Sequence, residues 1–357
     1  MKTTCKVLLA LGFTIAQVTV PSLLGREGGE SFAQQRRMPR YREGVPTDSI
    51  ILSDPFILAD SATHTYYMTG TGGLLWTSRN LQTWDGPRRV VELDTASWMG
   101  PRPMIWAAEL HHYRGKYYYF ATFTNDAVTI DSVAGRRIPR RSCSVLVADK
   151  PDGPYRPIPA SFYLPLHLPA LDATLFEDTD GHPYMIYCHE WLQNLDGTVE
   201  RIRLQDDLSG TFGTSRTLFR ASDSPWSLDT APPDTLAPTR HRRPDGTLPN
   251  LVTDGPFLFR TQTGRLGMLW TSWVGEEYTQ GVAYSRSGTI EGPWVHEPKP
   301  ITPPNYGHGM LFRDWKGRLL CVLHSHQVVN GHTVRRPHFF LMDDEGDRLT
   351  TLANFKP

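Results

Sequence analysis

Neither sign of charge is in surplus, with 37 Lys and Arg against 37 Asp and Glu. A nucleic acid or an anionic membrane surface would select a basic excess, so no nucleic-acid partner is expected. Cysteine is scarce, at four residues, and no pair has metal-ligand spacing. Cys5 precedes an apolar run and would be lost with it. Cys143, Cys188 and Cys321 form an odd set that allows one disulfide at most, and all three are expected to be small buried side chains. No apolar run is long enough to span a bilayer. The run from Val7 to about Val20, preceded by Lys2 and Lys6, instead has the length of a signal-peptide core. Residues 1–33 are therefore expected to be a signal peptide and extension, with Ser31 and Ala33 as the small residues of a cleavage site. The mature chain would be secreted or periplasmic, with no transmembrane span. From Ser53 onward a sustained helical period is also missing.

What replaces it is a succession of short runs rich in Tyr, Phe, Val, Leu and Trp, punctuated by Gly, Pro, Asp and Asn, which reads as all-β. The runs repeat. SDPFILADSATHTYYMTG, AAELHHYRGKYYYFATF, LDATLFEDTDGHPYMIYC, TDGPFLFRTQTGRLGMLWTS and GHGMLFRDWKGRLLCVLHS share one layout: a polar residue, an apolar strand, a turn with Gly or Asp, and a second aromatic strand. Three of the units also end on a recurring Gly-Pro, in WDGPRRV, PDGPYRPI and IEGPWVHE. Five such units predict a five-bladed β-propeller over residues 51–357, with 34–50 as a linker into the first blade. The leading polar residues are Asp54, Glu109, Asp172, Asp254 and His308, spaced 55, 63, 82 and 54 residues apart. Equivalent positions of a propeller meet at one end of the central channel, so four carboxylates and an imidazole are expected to converge there. The 82-residue interval holds a Pro-rich stretch, Ser224 to Pro249, read as a surface insertion.

A carboxylate just ahead of Gly255-Pro256 and the apolar Phe257-Leu258-Phe259 is either a turn cap or a working acid. The convergence of Asp254 with Asp54 and Asp172 favours the acid. Trp76, Trp106 and Phe123 stand near strand ends where a sugar face could stack. His324 and His326 alternate, so both face one side of their strand.

On these motifs the chain resembles glycoside hydrolase family 43, from Ile51 to about Asp344. SDPFI is similar to the segment that carries the family's general base, which places that role on Asp54. IWAAEL resembles its Trp-Ala-Pro-Glu segment through Trp106 and Glu109, with Ala108 in place of the usual Pro. LDATLF is similar to the segment of the aspartate that orients the acid and tunes its pKa, here Asp172. TDGPFL stands where the family has Glu-Gly-Pro, so the resemblance implies Asp254, one methylene shorter, as general acid. GHG places His308 at the channel histidine near which many members hold calcium or water. The Arg of VRRPHFF, taken as Arg336, resembles a substrate-contacting arginine.

The resemblance implies inverting removal of terminal arabinose or xylose from plant polysaccharides, with no cofactor required for the chemistry and a structural calcium as an option. A carbohydrate-binding propeller with a degenerate site is the alternative, because Asp stands where Glu is usual. The Asn-Asp-Pro-Asn-Gly, Arg-Asp-Pro and Glu-Cys segments of the retaining, invertase-like propellers are missing.

Overall fold

Strands follow one another from Arg42 onward in groups of four, each group folding back on itself before the next begins. The computed structural model describes residues 39–357 except 95, 134–135, 159–161, 228–250 and 276. The expected signal segment and most of the expected insertion lie outside the described residues. β1 (Arg42–Pro46) is the outer edge of blade 1, whose own strands are β2 (Phe56–Asp60), β3 (Thr65–Thr69), β4 (Leu74–Ser78) and β5 (Thr83–Arg89). The stretch expected as a linker thus contains a strand paired to β5. Blade 2 is β6 (Met104–Tyr113), β7 (Lys116–Val133), β8 (Arg136–Ala148) and β9 (Arg156–Pro157). Blade 3 is β10 (Ala170–Glu177), β11 (Pro183–His189), β12 (Thr198–Leu204) and β13 (Thr211–Arg220), with the short helix α1 (Trp191–Asn194) after β11. Blade 4 is β14 (Asp254–Arg260), β15 (Leu266–Val274), β16 (Glu277–Ser285) and β17 (Trp294–His296). Blade 5 is β18 (Tyr306–Arg313), β19 (Leu319–Val329), β20 (His332–Asp343) and β21 (Thr350–Phe355). Pairing within blades is antiparallel, and a single parallel pair, Thr279 with Tyr306, joins blades 4 and 5.

The turns carry the chemistry read from the sequence. Arg114 and Gly115, both at positive φ, close β6 onto β7. The amide of Gly181 donates to Asp178, that of Gly264 to Thr261 and that of Gly317 to Asp314, each between the first two strands of a blade.

The propeller has five apolar wedges in place of one core, each filled from two neighbouring blades. Tyr66, Trp84 and Ile57 meet Phe312, Val322 and Phe339 between blades 1 and 5. Leu75 and Tyr67 meet Tyr119 and Phe123 between blades 1 and 2, and Phe120 and Val145 meet Met185 and Ile202 between blades 2 and 3. Ile186 and Phe219 meet Met268 and Trp270 between blades 3 and 4, and Leu269 and Tyr284 meet Cys321 and Leu323 between blades 4 and 5. Both faces of each blade are thus apolar, which is why the second strands read as continuous aromatic runs. Innermost strands β2, β6, β10, β14 and β18 pack side by side around the axis, and β18 closes onto β2. Cys143, Cys188 and Cys321 are free and buried in these wedges, as expected. No helix of the described residues is long and apolar enough to cross a membrane.

Candidate active site

One residue in each blade stands in the left-handed backbone region where the chain enters the innermost strand. These are Asp54 (φ 56), Ala107 (φ 41), Asp172 (φ 57), Gly255 (φ 50) and His308 (φ 55). In blades 2 to 5 the ladder skips register across this position, a bulge that turns the residue toward the axis. Left-handed backbone costs a non-Gly residue about 1–2 kcal/mol. Four of the five bear that cost, and three of the four carry a charged or imidazole side chain.

The residue just ahead of the bulge pairs across to the second strand of its blade: Trp106 with Thr122, Leu171 with Cys188, Asp254 with Thr271, and Gly307 with His324. In blade 1 the amide of Thr71 donates to Ser53 in the same way. The side chain at this second-strand position acts as a peg for the next blade. Thr71 Oγ1 accepts the Ala107 amide at 3.0 Å, Thr122 Oγ1 that of Asp172 at 2.8 Å, and Thr271 Oγ1 that of His308 at 2.8 Å. Two junctions differ. Between blades 5 and 1 the peg is His324, whose Nδ1 accepts the Asp54 amide at 3.0 Å. Between blades 3 and 4 it is Cys188, and the Gly255 amide donates instead to Asp172 Oδ2 at 3.2 Å.

Asp54 is the most heavily engaged carboxylate. Its Oδ2 accepts from Thr71 Oγ1 at 2.5 Å, and its Oδ1 lies 3.2 Å from His308 Nδ1. Oδ1 is also 3.2 Å from His324 Nδ1, but one nitrogen cannot both accept the Asp54 amide and donate to its carboxylate. The buried amide needs that acceptor, which leaves the His324 proton on Nε2, facing His326 Nε2 at 3.1 Å. Arg335 Nε donates to the same His326 nitrogen at 3.1 Å. Burial pushes the Asp54 carboxyl up, but the charges of His308 and Arg335 oppose it, and the group is held well below the usual carboxylate range. Burial pushes His324 down to about 4, so it is a neutral peg.

Asp172 and Asp254 go the other way. Burial is the main cause for both, and neighbouring carboxylates add to it: Asp254 and Asp54 push Asp172 up, and Asp54 and Glu190 push Asp254 up. His308 opposes the rise, lying 3.9 Å from Asp172 Oδ2. Tyr278 donates to Asp254 Oδ2 at 3.0 Å and stacks on His324 and His326 at 5.3 and 5.1 Å. The His308 ring also fills the space above Gly255, where an added Cβ would come within 2.7 Å of it. One anion held ionised beside two buried carboxyls that resist ionisation is the division of labour that acid and base catalysis needs.

The sequence-derived residues separate into those the channel brings together and those it does not. Asp54, Asp172, Asp254 and His308 converge. Glu109 lies two residues past the repeat position, which Ala107 occupies, and is bonded to His111 Nε2 at 2.8 Å. Trp76 and Phe123 are buried in wedges and offer no face to a sugar. Trp76 is the central residue of β4 and Phe123 lies well inside β7, so neither stands at a strand end. Trp106 is half-buried at the mouth, on the guanidinium of Arg141 at 3.8 Å. Arg336 binds the carbonyl of Asp48 at 2.9 Å and ties blade 5 to the chain start, whereas Arg335 acts on Asp54 through its charge. Sequence reasoning missed Tyr278, Arg141 and Glu190, and chose Arg336 over its neighbour Arg335. The one usable signal was in blade 3, where Cys188 and Glu190 replace a threonine-type peg.

Burial pushes the His308 imidazole down, but Asp54, Asp172 and Asp254 outweigh it and push it up. Among the described residues no cluster of three or more His, Cys, Asp or Glu side chains is arranged to hold a metal ion.

A model of glycosyl hydrolases family 43 matches residues 45–341. Among solved structures, an endo-arabinase from Bacteroides thetaiotaomicron VPI-5482 is 31% identical, with a TM-score of 0.68 over 87% of this chain and 98% of that one. A thermostable family-43 glycoside hydrolase, at 19% identity and a TM-score of 0.64, covers 88% and 98%. An alpha-L-arabinofuranosidase from Lactobacillus brevis, at 17% identity and a TM-score of 0.59, covers 86% and 97%. The curated proteins compared with the chain include no match.

Proposed function

The chain belongs to glycosyl hydrolases family 43, and on that premise we propose that it is an exported, inverting glycosidase that removes terminal pentose from plant-type polysaccharides or oligosaccharides. Asp54 serves as the base that activates water. Asp254, kept protonated mainly by burial, protonates the leaving oxygen, and Asp172 orients that acid. The observation that carries this reading is the opposite displacement of the carboxyls, Asp54 held ionised and Asp172 with Asp254 held back from ionisation. Inversion requires acid and base on opposite faces of the sugar, roughly 6.5–9.5 Å apart, and different blades supply them. Of α-L-arabinofuranose and β-D-xylose, the first has the better support, since the 31% identical neighbour is an endo-arabinase. That neighbour also favours a second reading, cleavage within an arabinan chain.

The test is to incubate the protein with nitrophenyl arabinofuranoside, nitrophenyl xyloside, linear arabinan and xylan oligosaccharides. Release of arabinose or xylose from chain ends is the expected outcome. Arabino-oligosaccharides without monosaccharide would favour internal cleavage. Binding without release from any substrate would replace the enzyme with a carbohydrate-binding propeller.

A further inference from the structure

Glu190 is an acidic side chain at the channel mouth for which the reaction above has no use. It follows β11 at the entrance to α1, and its side chain is only 7% exposed. One oxygen, Oε1, is engaged by Arg141 Nη1, while Oε2 is buried without a hydrogen-bond partner. Arg141 is itself fixed, with Nε on Thr124 Oγ1 at 3.0 Å and its guanidinium against the Trp106 ring. The support is complete on one side of the carboxylate and missing on the other.

Two residues beyond each junction peg, on the same face of the second strand, stand Thr124, Glu190, Trp273 and His326 in blades 2 to 5. Trp273 packs on Tyr278 and His326, beside the acid and the base respectively. Glu190 completes this second ring from blade 3, and its charge reaches Asp254. Trp106, the repeat equivalent of Asp254, is half-buried on blade 2, so Glu190 on blade 3 lies between it and Asp254 on blade 4.

We propose that Glu190 is a sugar-binding residue whose free Oε2 accepts hydrogen bonds from hydroxyls of a pentose seated between Trp106 and Asp254. Arg141 holds the carboxylate in place for this contact. An ion pair serving the fold alone would not require the second oxygen to be left without a donor. If the glycosidase reading holds, on which this last step rests, the same contact draws the sugar to the depth at which the shorter acid reaches the glycosidic oxygen.

Glu190→Gln isolates the acceptor, because its amide oxygen can still take the Arg141 bond while the NH2 cannot accept. Binding of arabinotriose and xylotriose is measured by titration calorimetry on the full chain carrying Asp54→Asn, which stops turnover. Adding Glu190→Gln is expected to weaken binding of the preferred trisaccharide roughly 10- to 100-fold, the range for a hydrogen bond to a charged group. In the otherwise wild-type enzyme, KM should rise more than kcat falls. The double variant Arg141→Met with Glu190→Met removes the buried pair together, guards against misfolding and should lose binding equally.

Unchanged trisaccharide binding by Glu190→Gln would overturn the proposal while leaving hydrolysis intact. A fall in kcat alone would make Glu190 a proton-transfer group and overturn it as well. Lost binding in a protein that hydrolyses no glycoside would sustain the proposal and remove the glycosidase reading. A chain that binds neither sugar would overturn both.

Discussion

Three of the five blade junctions are alike and two are not, and the two exceptions adjoin the candidate base and the candidate acid. At Thr71, Thr122 and Thr271 a hydroxyl accepts the amide of the next blade. Each is a neutral hydrogen bond worth about 1 kcal/mol net, and it holds a residue in left-handed backbone. At His324 the peg is an imidazole pressed against Asp54, and at Cys188 the weakly accepting thiol leaves the Gly255 amide to Asp172. The regular junctions stabilise the ring. The irregular ones distribute charge, so departures from the repeat mark chemistry more sharply than the repeat itself.

The largest effect that would sharpen this contrast concerns Asp172. Asp172 and Asp254 are both held back from ionisation, chiefly by burial, so activity should fall as pH rises through the raised range of the pair. Asp172→Asn removes one carboxyl of the pair and leaves the burial, Asp54 and Glu190 that push Asp254 up. The basic limb of kcat/KM against pH should then stay in its raised range, with kcat down by roughly 10²-fold as the acid loses its orientation. The acidic limb should stay low in both proteins, because Asp54 is held ionised by the charges of His308 and Arg335. A basic limb that fell to the ordinary carboxylate range would break the assignment.

The smallest effect concerns blade 2, where the repeat position is occupied by a residue with no polar group to offer. Ala107 bears the left-handed backbone with no side-chain partner in return. Ala107→Gly should therefore raise stability by about 0.5–1 kcal/mol, read as a higher Tm, with kcat unchanged. A lower Tm would mean that the Ala107 methyl contributes more to packing than its backbone costs.

Much of this was legible in the sequence because a propeller writes the same sentence five times. Apolar pairs of strands, Gly and Asp turns and the leading polar residues located the blades and brought Asp54, Asp172, Asp254 and His308 to one place. The phase of the repeat was not legible to the residue. Alignment on side-chain polarity put Glu109 and Asp254 in register with Asp54, whereas the backbone puts Ala107 and Gly255 there. A bulge inserts a residue without changing composition, so only the ladder reveals it. Trp76 and Phe123 look like sugar platforms because aromatic strand residues serve both wedge and mouth, and burial alone separates them. The choice between Arg335 and Arg336 turns on strand alternation at one position. Tyr278 and Glu190 carry no motif, and their importance comes from neighbours contributed by other blades.

The most direct measurement compares kcat and Tm for Asp54→Asn, Asp254→Asn and Thr122→Val on an unactivated arabino-oligosaccharide. The two Asn variants should lose about 10²–10⁴-fold in kcat with Tm nearly unchanged, while Thr122→Val should lose about 1–3 kcal/mol of stability and far less activity. Wild-type turnover by either Asn variant, or a Thr122→Val variant that lost as much activity as they do, would contradict the separation of catalytic from structural junctions.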